Sequence, residues 1–197
     1  MKNRIIVSVR YLLAMMLLTG LIYPFLVTGI SRVVFPFRSE GSLLTADGNI
    51  IGSELIGQKF DSARYFWPRP SATDYSAVPS GASNLGPASR KLKELAAQRR
   101  REFCVKNGLD TSTVVPSEML FTSGSGLDPH ISPESAYLQA GRVADSRKFT
   151  AHQKEELLNC IKRLTEPTGL PVLGEKRVNV LLLNIETDKI KQKNPGP

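Results

Sequence analysis

The stretch Ser123-Gly-Ser-Gly-Leu-Asp-Pro-His130 holds, within eight residues, the side-chain types of nucleophilic hydrolysis. A serine hydroxyl needs an imidazole to take its proton and a carboxylate to orient that imidazole. Gly124-Ser125-Gly126 comes close to the G-x-S-x-G elbow but lacks its outer glycines and the strand-to-helix turn that exposes the nucleophile. His130 lies only five residues after Ser125, so a triad would depend on a sharp turn. The simpler expectation is a Gly-rich turn leading into the helix that starts at Ser132-Pro133-Glu134. Gly169-Leu-Pro-Val-Leu-Gly-Glu-Lys176 approaches a phosphate-binding loop, but Glu175 stands where the loop needs lysine, and a negative charge there opposes phosphate. His130 and His152 have no partner at metal-ligand spacing, so no zinc is expected. These residues do not make a catalytic centre, and the chain is expected not to be an enzyme on its own.

Another cluster has the chemistry of recognition. Tyr65-Phe-Trp-Pro-Arg-Pro70 contains the only tryptophan, in a Pro- and Gly-rich connection spanning 61–89. Aromatic and Arg side chains are enriched at interfaces, and the same residues also pin a long loop to its own domain; both readings stand. Cys104 and Cys160 fall in helical patterns and fit no disulfide framework, so both are expected as small apolar residues. The cluster Arg90, Lys91, Lys93, Arg99, Arg100 and Arg101 is broken by Glu94 and Glu102, as on a solvated helix face.

The elements that must carry these residues begin with a span. Tyr11 to Ile30 is free of charge, and ten of its twenty residues are Leu, Ile, Val or Phe. As a helix it would reach about 30 Å, the thickness of a bilayer core. It is too long for a signal-peptide core, and no A-x-A-like site follows; it is apolar all round, unlike a core helix at a protein surface. Lys2, Arg4 and Arg10 precede it without any acidic residue, which predicts a cytoplasmic N-terminus. The expected organisation is a cytoplasmic segment 1–10, a transmembrane helix 11–30 and an extracytoplasmic domain 31–197. Pro24 predicts a kink near 20–24. The formal charge is +8, of which residues 1–30 hold three Lys/Arg and no Asp/Glu.

Beyond the span, Phe35 and Phe37 suit the membrane interface, and Asp47-Gly48 between apolar pairs predicts a hairpin. Helices are predicted over 89–106 with Gly108 as stop, from Ser132 with Ala136, Ala140, Val143 and Ala144 as a close-packing stripe, and from Thr150 with Gln153 as a capping box. Leu157, Leu158, Ile161 and Leu164 form the face of that third helix, which Pro167, Gly169 and Pro171 end. Val178-Asn-Val-Leu-Leu-Leu-Asn-Ile185 reads as a buried strand with a charged tail after it. The fold class is α+β, one N-terminal transmembrane helix followed by a mixed helix/strand domain.

Several ordered blocks give the chain a family likeness. Thr122-Ser-Gly-Ser-Gly-Leu-Asp-Pro-His-Ile-Ser-Pro133 is joined by Gly52-Ser-Glu-Leu-Ile-Gly-Gln-Lys-Phe60 and Tyr65-Phe-Trp-Pro-Arg-Pro-Ser-Ala72. Ser80-Gly-Ala-Ser-Asn-Leu-Gly-Pro87, Arg142-Val-Ala144 and Arg177-Val-Asn-Val-Leu-Leu-Leu-Asn184 follow in order. With Thr19-Gly20 and Tyr23-Pro24 in the span, the sequence resembles the C subunit of the Kdp-type potassium-transporting P-type ATPase from about residue 10 to 190. The resemblance implies an accessory subunit of a high-affinity ATP-driven potassium-uptake complex in the bacterial cytoplasmic membrane. Its implied partners are a channel-like potassium-translocating subunit, an ATP-hydrolysing P-type subunit and a small single-helix subunit. It also implies a second role, a nucleotide-binding chaperone that raises the ATP affinity of the pump. Because the charge bias puts the domain on the side away from ATP, the expectation is no bound cofactor on this chain, with ATP and potassium handled by the complex. The surfaces expected to meet partners are Tyr65, Phe66, Trp67 and Arg69, together with Ser123, Ser125, Gly126, Leu127, Asp128 and His130.

Overall fold

A computed structural model describes residues 2–46, 48–168 and 174–193. Asp47, Gly169, Pro171 and the part of the 169–176 loop up to residue 173 lie outside the described residues. The chain divides into two compact units, Met1–Ile51 and Gly52–Pro197.

In the first unit, α1 (Lys2–Leu17) runs through a π-turn (Leu18–Ile22) into α2 (Tyr23–Val34). No residue of this stretch is buried, which separates it from a core helix. Among the described residues it is the one helix long and apolar enough to cross a membrane, by length and composition. The π-turn explains how Pro24 is accommodated. Proline has no N–H to offer the carbonyl four residues back, and its ring crowds that carbonyl. Just before it, the Tyr23 N–H reaches the Leu18 carbonyl instead, one residue further than in an α-helix. Pro24 predicts a kink near 20–24; what the helix shows there is a π-turn over Leu18–Ile22. A short α3 (Pro36–Ser39) follows, leaving Phe35 and Phe37 exposed. Then come β1 (Leu43–Ala46) and β2 (Asn49–Ser53), paired as the expected hairpin.

The second unit is built on four helices and a small sheet. Ser89 caps α4 (Arg90–Asn107) by accepting the Leu92 N–H, and Gly108 ends it in the left-handed region. After a 3₁₀ turn (Ser117–Met119), β3 (His130–Ile131) leads into α5 (Pro133–Ser146), capped by Ser132. Thr150 and Gln153 form the predicted capping box of α6 (Ala151–Leu164). Two-residue β4 (Thr165–Glu166) and β5 (Arg177–Asn179) complete an antiparallel sheet ordered β3-β5-β4, with His130 opposite Asn179 and Thr165 opposite Val178. Ala136, Ala140, Val143 and Ala144 are buried as the close-packing stripe of α5, facing Leu157 and Ile161 of α6 within one core. Leu158 departs from the predicted face and is exposed. Cys104 and Cys160 are free and buried.

The strand expected over 178–185 is corrected. Only Arg177–Asn179 is extended; α7 (Val180–Lys193) starts immediately and includes the expected charged tail. Asn179 makes the break, because its side-chain oxygen accepts the Leu182 N–H and caps the new helix. A short apolar run does not distinguish strand from buried helix by periodicity. Buried Leu183, Thr187 and Ile190 now line one helical face.

Residues 54–89 contain no helix or strand, yet one part is held as firmly as a strand. Asn184 of α7 gives its Nδ2–H to the Phe66 carbonyl (3.1 Å) and accepts the Phe66 N–H (2.7 Å). Gln139 of α5 does the same for Trp67, at 3.2 and 2.8 Å. Each amide side chain thus imitates one rung of a sheet. Phe66, fully enclosed, fixes this segment to the core. Replacing Asn184 with Ala leaves a buried N–H and C=O unpaired and is expected to cost about 2–4 kcal/mol. Asn184→Asp keeps the acceptor but buries a carboxylate against the Phe66 carbonyl, and should cost at least as much. Urea unfolding of the full chain in detergent, followed through Trp67 fluorescence, checks both; equal stability of Asn184→Ala and wild type would contradict the assignment.

Candidate functional site

The predicted recognition residues fall into two neighbourhoods of the second unit. Around Trp67, the aromatic-Arg segment meets α5. The Arg142 guanidinium lies 3.6 Å from the centre of the Trp67 ring, and Lys106 Nζ lies 5.4 Å from it. Trp67 Nε1 donates to the Ser62 carbonyl. Arg142 Nη1 donates to the carbonyls of Ala63 (2.6 Å) and Tyr65 (3.0 Å), while Nε and Nη2 serve Asn107 and Gln139. All these acceptors are neutral, so burial pushes the Arg142 pKa down to about 10, which still leaves it charged at neutral pH. Arg147, whose side chain is wholly buried, donates to the Arg64 carbonyl and pairs with Asp188 at 2.6 Å. Tyr65 packs against Phe60 and beneath Arg147.

The second neighbourhood is the 123–130 turn. Arg69 Nη1 reaches Asp128 Oδ2 at 2.8 Å, and Asp128 Oδ1 accepts the His130 N–H at 3.0 Å. Burial opposes ionisation of Asp128, but the bonds from His130 and Arg69 outweigh it and hold the carboxyl at about 2. Glu118 behaves alike. It accepts from the Ser132 N–H (2.9 Å) and the Ser135 hydroxyl (2.6 Å) at the start of α5, and these bonds with nearby Arg69 overcome burial to keep its pKa below the usual value. Tyr75 hydroxyl donates to the Arg69 carbonyl, fixing the guanidinium's stem, and burial raises its own pKa.

The turn is also locked from outside. The Gly57 N–H donates to the Leu127 carbonyl, and a Cβ at Gly57 would lie 2.6 Å from the Asp128 carbonyl oxygen. Gly126, at φ +71°, takes a conformation that side chains disfavour and faces the Gly81 carbonyl. Arg69, Glu118, Asp128, His130, Ser132 and Lys176 line a polar cleft of ≈ 370 Å³ beside the turn.

The hydrogen bonds described in this turn do not join serine, histidine and aspartate as a triad. Ser125 Oγ accepts the Leu127 N–H, Ser123 is buried, and His130 Nδ1 lies 3.6 Å from Asp128. Among the described residues, no hydrogen bond joins either serine to His130, and no cluster of His, Cys, Asp and Glu could hold a metal ion. The arrangement positions surfaces and pins loops. Of the predicted recognition residues, Phe66 and Ser123 are interior, Ser125 is exposed, and Tyr65, Trp67, Arg69, Leu127, Asp128 and His130 are partly exposed.

The family model for the K+-transporting ATPase c chain matches residues 5–189. The chain belongs to the KdpC family. Its relatives include the potassium-transporting ATPase KdpC subunit of Leptospira interrogans, 48% identical over 94% of this chain and 94% of the relative. The KdpC subunit of Caldanaerobacter subterraneus is 43% identical, covering 90% and 91%. That of Methylococcus capsulatus is 45% identical, covering 97% and 100%. The identity of this KdpC-family chain therefore extends over anchor and domain together.

Sequence reasoning missed Gln139, Arg142, Arg147, Glu118 and Asn184, which hold both neighbourhoods in place. A signal was present for two of them: Gln139 and Arg142 interrupt the small-residue stripe of α5 on its buried side. The Arg69–Asp128 clamp carries a pH signature. A carboxyl depressed from 3.8 to about 2 adds stability that is complete above the unfolded value and lost as pH falls through the folded one. Asp128→Asn should cost about 1–2 kcal/mol at pH 7, and the difference from wild type should close between about pH 4 and pH 2. Denaturant unfolding across that range measures it; a penalty independent of pH would remove the charge from the explanation.

Proposed function

We propose that this chain is the non-catalytic accessory subunit of a high-affinity, ATP-driven potassium-uptake complex, needed for its assembly and stability and supporting its ATP-hydrolysing subunit. The single observation that carries this reading is membership of the KdpC family over residues 5–189, whose relatives are named as subunits of a potassium-transporting ATPase. In this reading the helix Lys2–Val34 anchors the chain once in the bacterial cytoplasmic membrane. The N-terminus lies inside, following the Lys2, Arg4 and Arg10 bias, and the domain lies outside. Its partners are a channel-like potassium-translocating subunit, an ATP-hydrolysing P-type subunit and a small single-helix subunit. ATP and potassium are handled by the complex, and the chain holds neither. The rigidly pinned loops support a docking role, because a preformed surface loses little freedom on association.

Co-purification in mild detergent through a C-terminal tag, with mass spectrometry of the recovered chains, tests the proposal. The expected result is a P-type ATPase subunit together with a channel-like subunit. Titration of the purified full-length chain with ATP is expected to show no saturable binding at micromolar concentration. Saturation there would favour the nucleotide-binding chaperone, and recovery of the chain alone would end the subunit reading.

A further inference from the structure

One apolar groove remains outside the two pinned neighbourhoods' internal bonding. Its floor and one wall are Trp67, Pro70 and Met119; the other wall is the α4 stripe Arg99, Glu102, Phe103 and Lys106, spaced as one helical face. Its volume of ≈ 140 Å³ is close to that of a cavity that takes a single benzene ring. That is room for one Leu- or Phe-sized side chain and too little for a nucleotide.

The groove is electrically one-sided. Arg142 lies against the Trp67 ring and bonds only neutral acceptors, and Lys106 stands over the same ring. Arg99 Nη1 donates to the Leu120 carbonyl at 2.7 Å. Among the described residues, none of these three cations forms a salt bridge. Glu102, which accepts from Gln98, is the one carboxylate in the lining. Arg99 and Lys106 against Glu102 leave the lining with one net positive charge, and the buried Arg142 adds another behind the Trp67 ring. Such charge steers and orients acidic surface, and a partly exposed Trp beside Arg is the composition of an interface anchor.

We propose that this groove is a docking site for a partner subunit, receiving an apolar side chain that projects from an acidic segment. The proposal rests on the subunit reading above and adds to it the face used and the chemistry of what it meets. Trp67, Phe103 and Met119 bury the anchor, while Arg99 and Lys106 face the flanking carboxylates. Pinning of Phe66 and Trp67 by Asn184 and Gln139 keeps the slot open before the partner arrives.

The test uses the full-length chain co-expressed with the other subunits of the complex. A photoreactive benzoylphenylalanine at position 102 keeps all three cations and sits in the groove wall. Illumination should give an adduct with a partner-subunit peptide in which the joined apolar residue is flanked by Asp or Glu. In parallel, Lys106→Glu should lower recovery of the partner about tenfold, and Lys106→Arg should retain it. Lys106 is exposed, so circular dichroism of both variants should match wild type. Adducts confined to lipid or to basic peptides, or full recovery with Lys106→Glu while the wild type brings its partner, would overturn the groove assignment alone. Recovery of no partner by the wild type itself would overturn the subunit reading and this inference with it.

Discussion

A backbone segment without a strand partner, satisfied largely by side chains from elsewhere in the chain, is the constraint on which this domain depends. Phe66 and Trp67 lie against α5 and α7, where each unpaired buried N–H or C=O would cost about 1–3 kcal/mol. A sheet would supply the missing partners from a neighbouring strand. Here Asn184, Gln139 and Arg142 supply them from helices, and Arg147 from the residue that ends α5. The arrangement demands polar residues at otherwise apolar helix positions. It also places a buried guanidinium against Trp67, which gives that part of the surface its charge.

From this clamp the route to the 123–130 turn is short. The chain leaves Trp67 through Pro68 to Arg69, whose guanidinium reaches Asp128. Asp128 fixes His130, and His130 opens the sheet by pairing with Asn179. Asn179 in turn caps α7, the helix that carries Asn184 back to Phe66. Loop, turn, sheet and helix therefore close a cycle through named side chains. Asp128 and His130 belong to that cycle, while Ser125 tightens the turn locally by accepting the Leu127 N–H.

Local rules made much of this legible. Ser89, Ser132 and Thr150 each cap the helix their spacing predicts, because capping depends on residues within one turn. The span and the hairpin follow equally from local pattern. The 178–185 run failed because a buried helix and a buried strand show the same unbroken apolar stretch, and one asparagine decides between them. Two-residue strands β3 and β4 leave no periodicity to read. The clamp was illegible for a different reason: its partners are separated by 72 to 118 residues. Composition marks Trp67 as a candidate recognition residue, but the groove beside it exists only because α4 packs there.

The proposed function requires the domain to lie on the outer side of the membrane, away from ATP. Single-cysteine labelling in intact cells tests it most directly. Cys104 and Cys160 are buried and are replaced by Ala, and the reporter is Lys162→Cys on the exposed face of α6. A membrane-impermeant maleimide, given access to the cytoplasmic membrane's outer face, is predicted to label the reporter without lysis. Labelling only after the cytoplasmic membrane is broken would contradict the claim, placing the domain beside ATP and reopening the nucleotide-binding role.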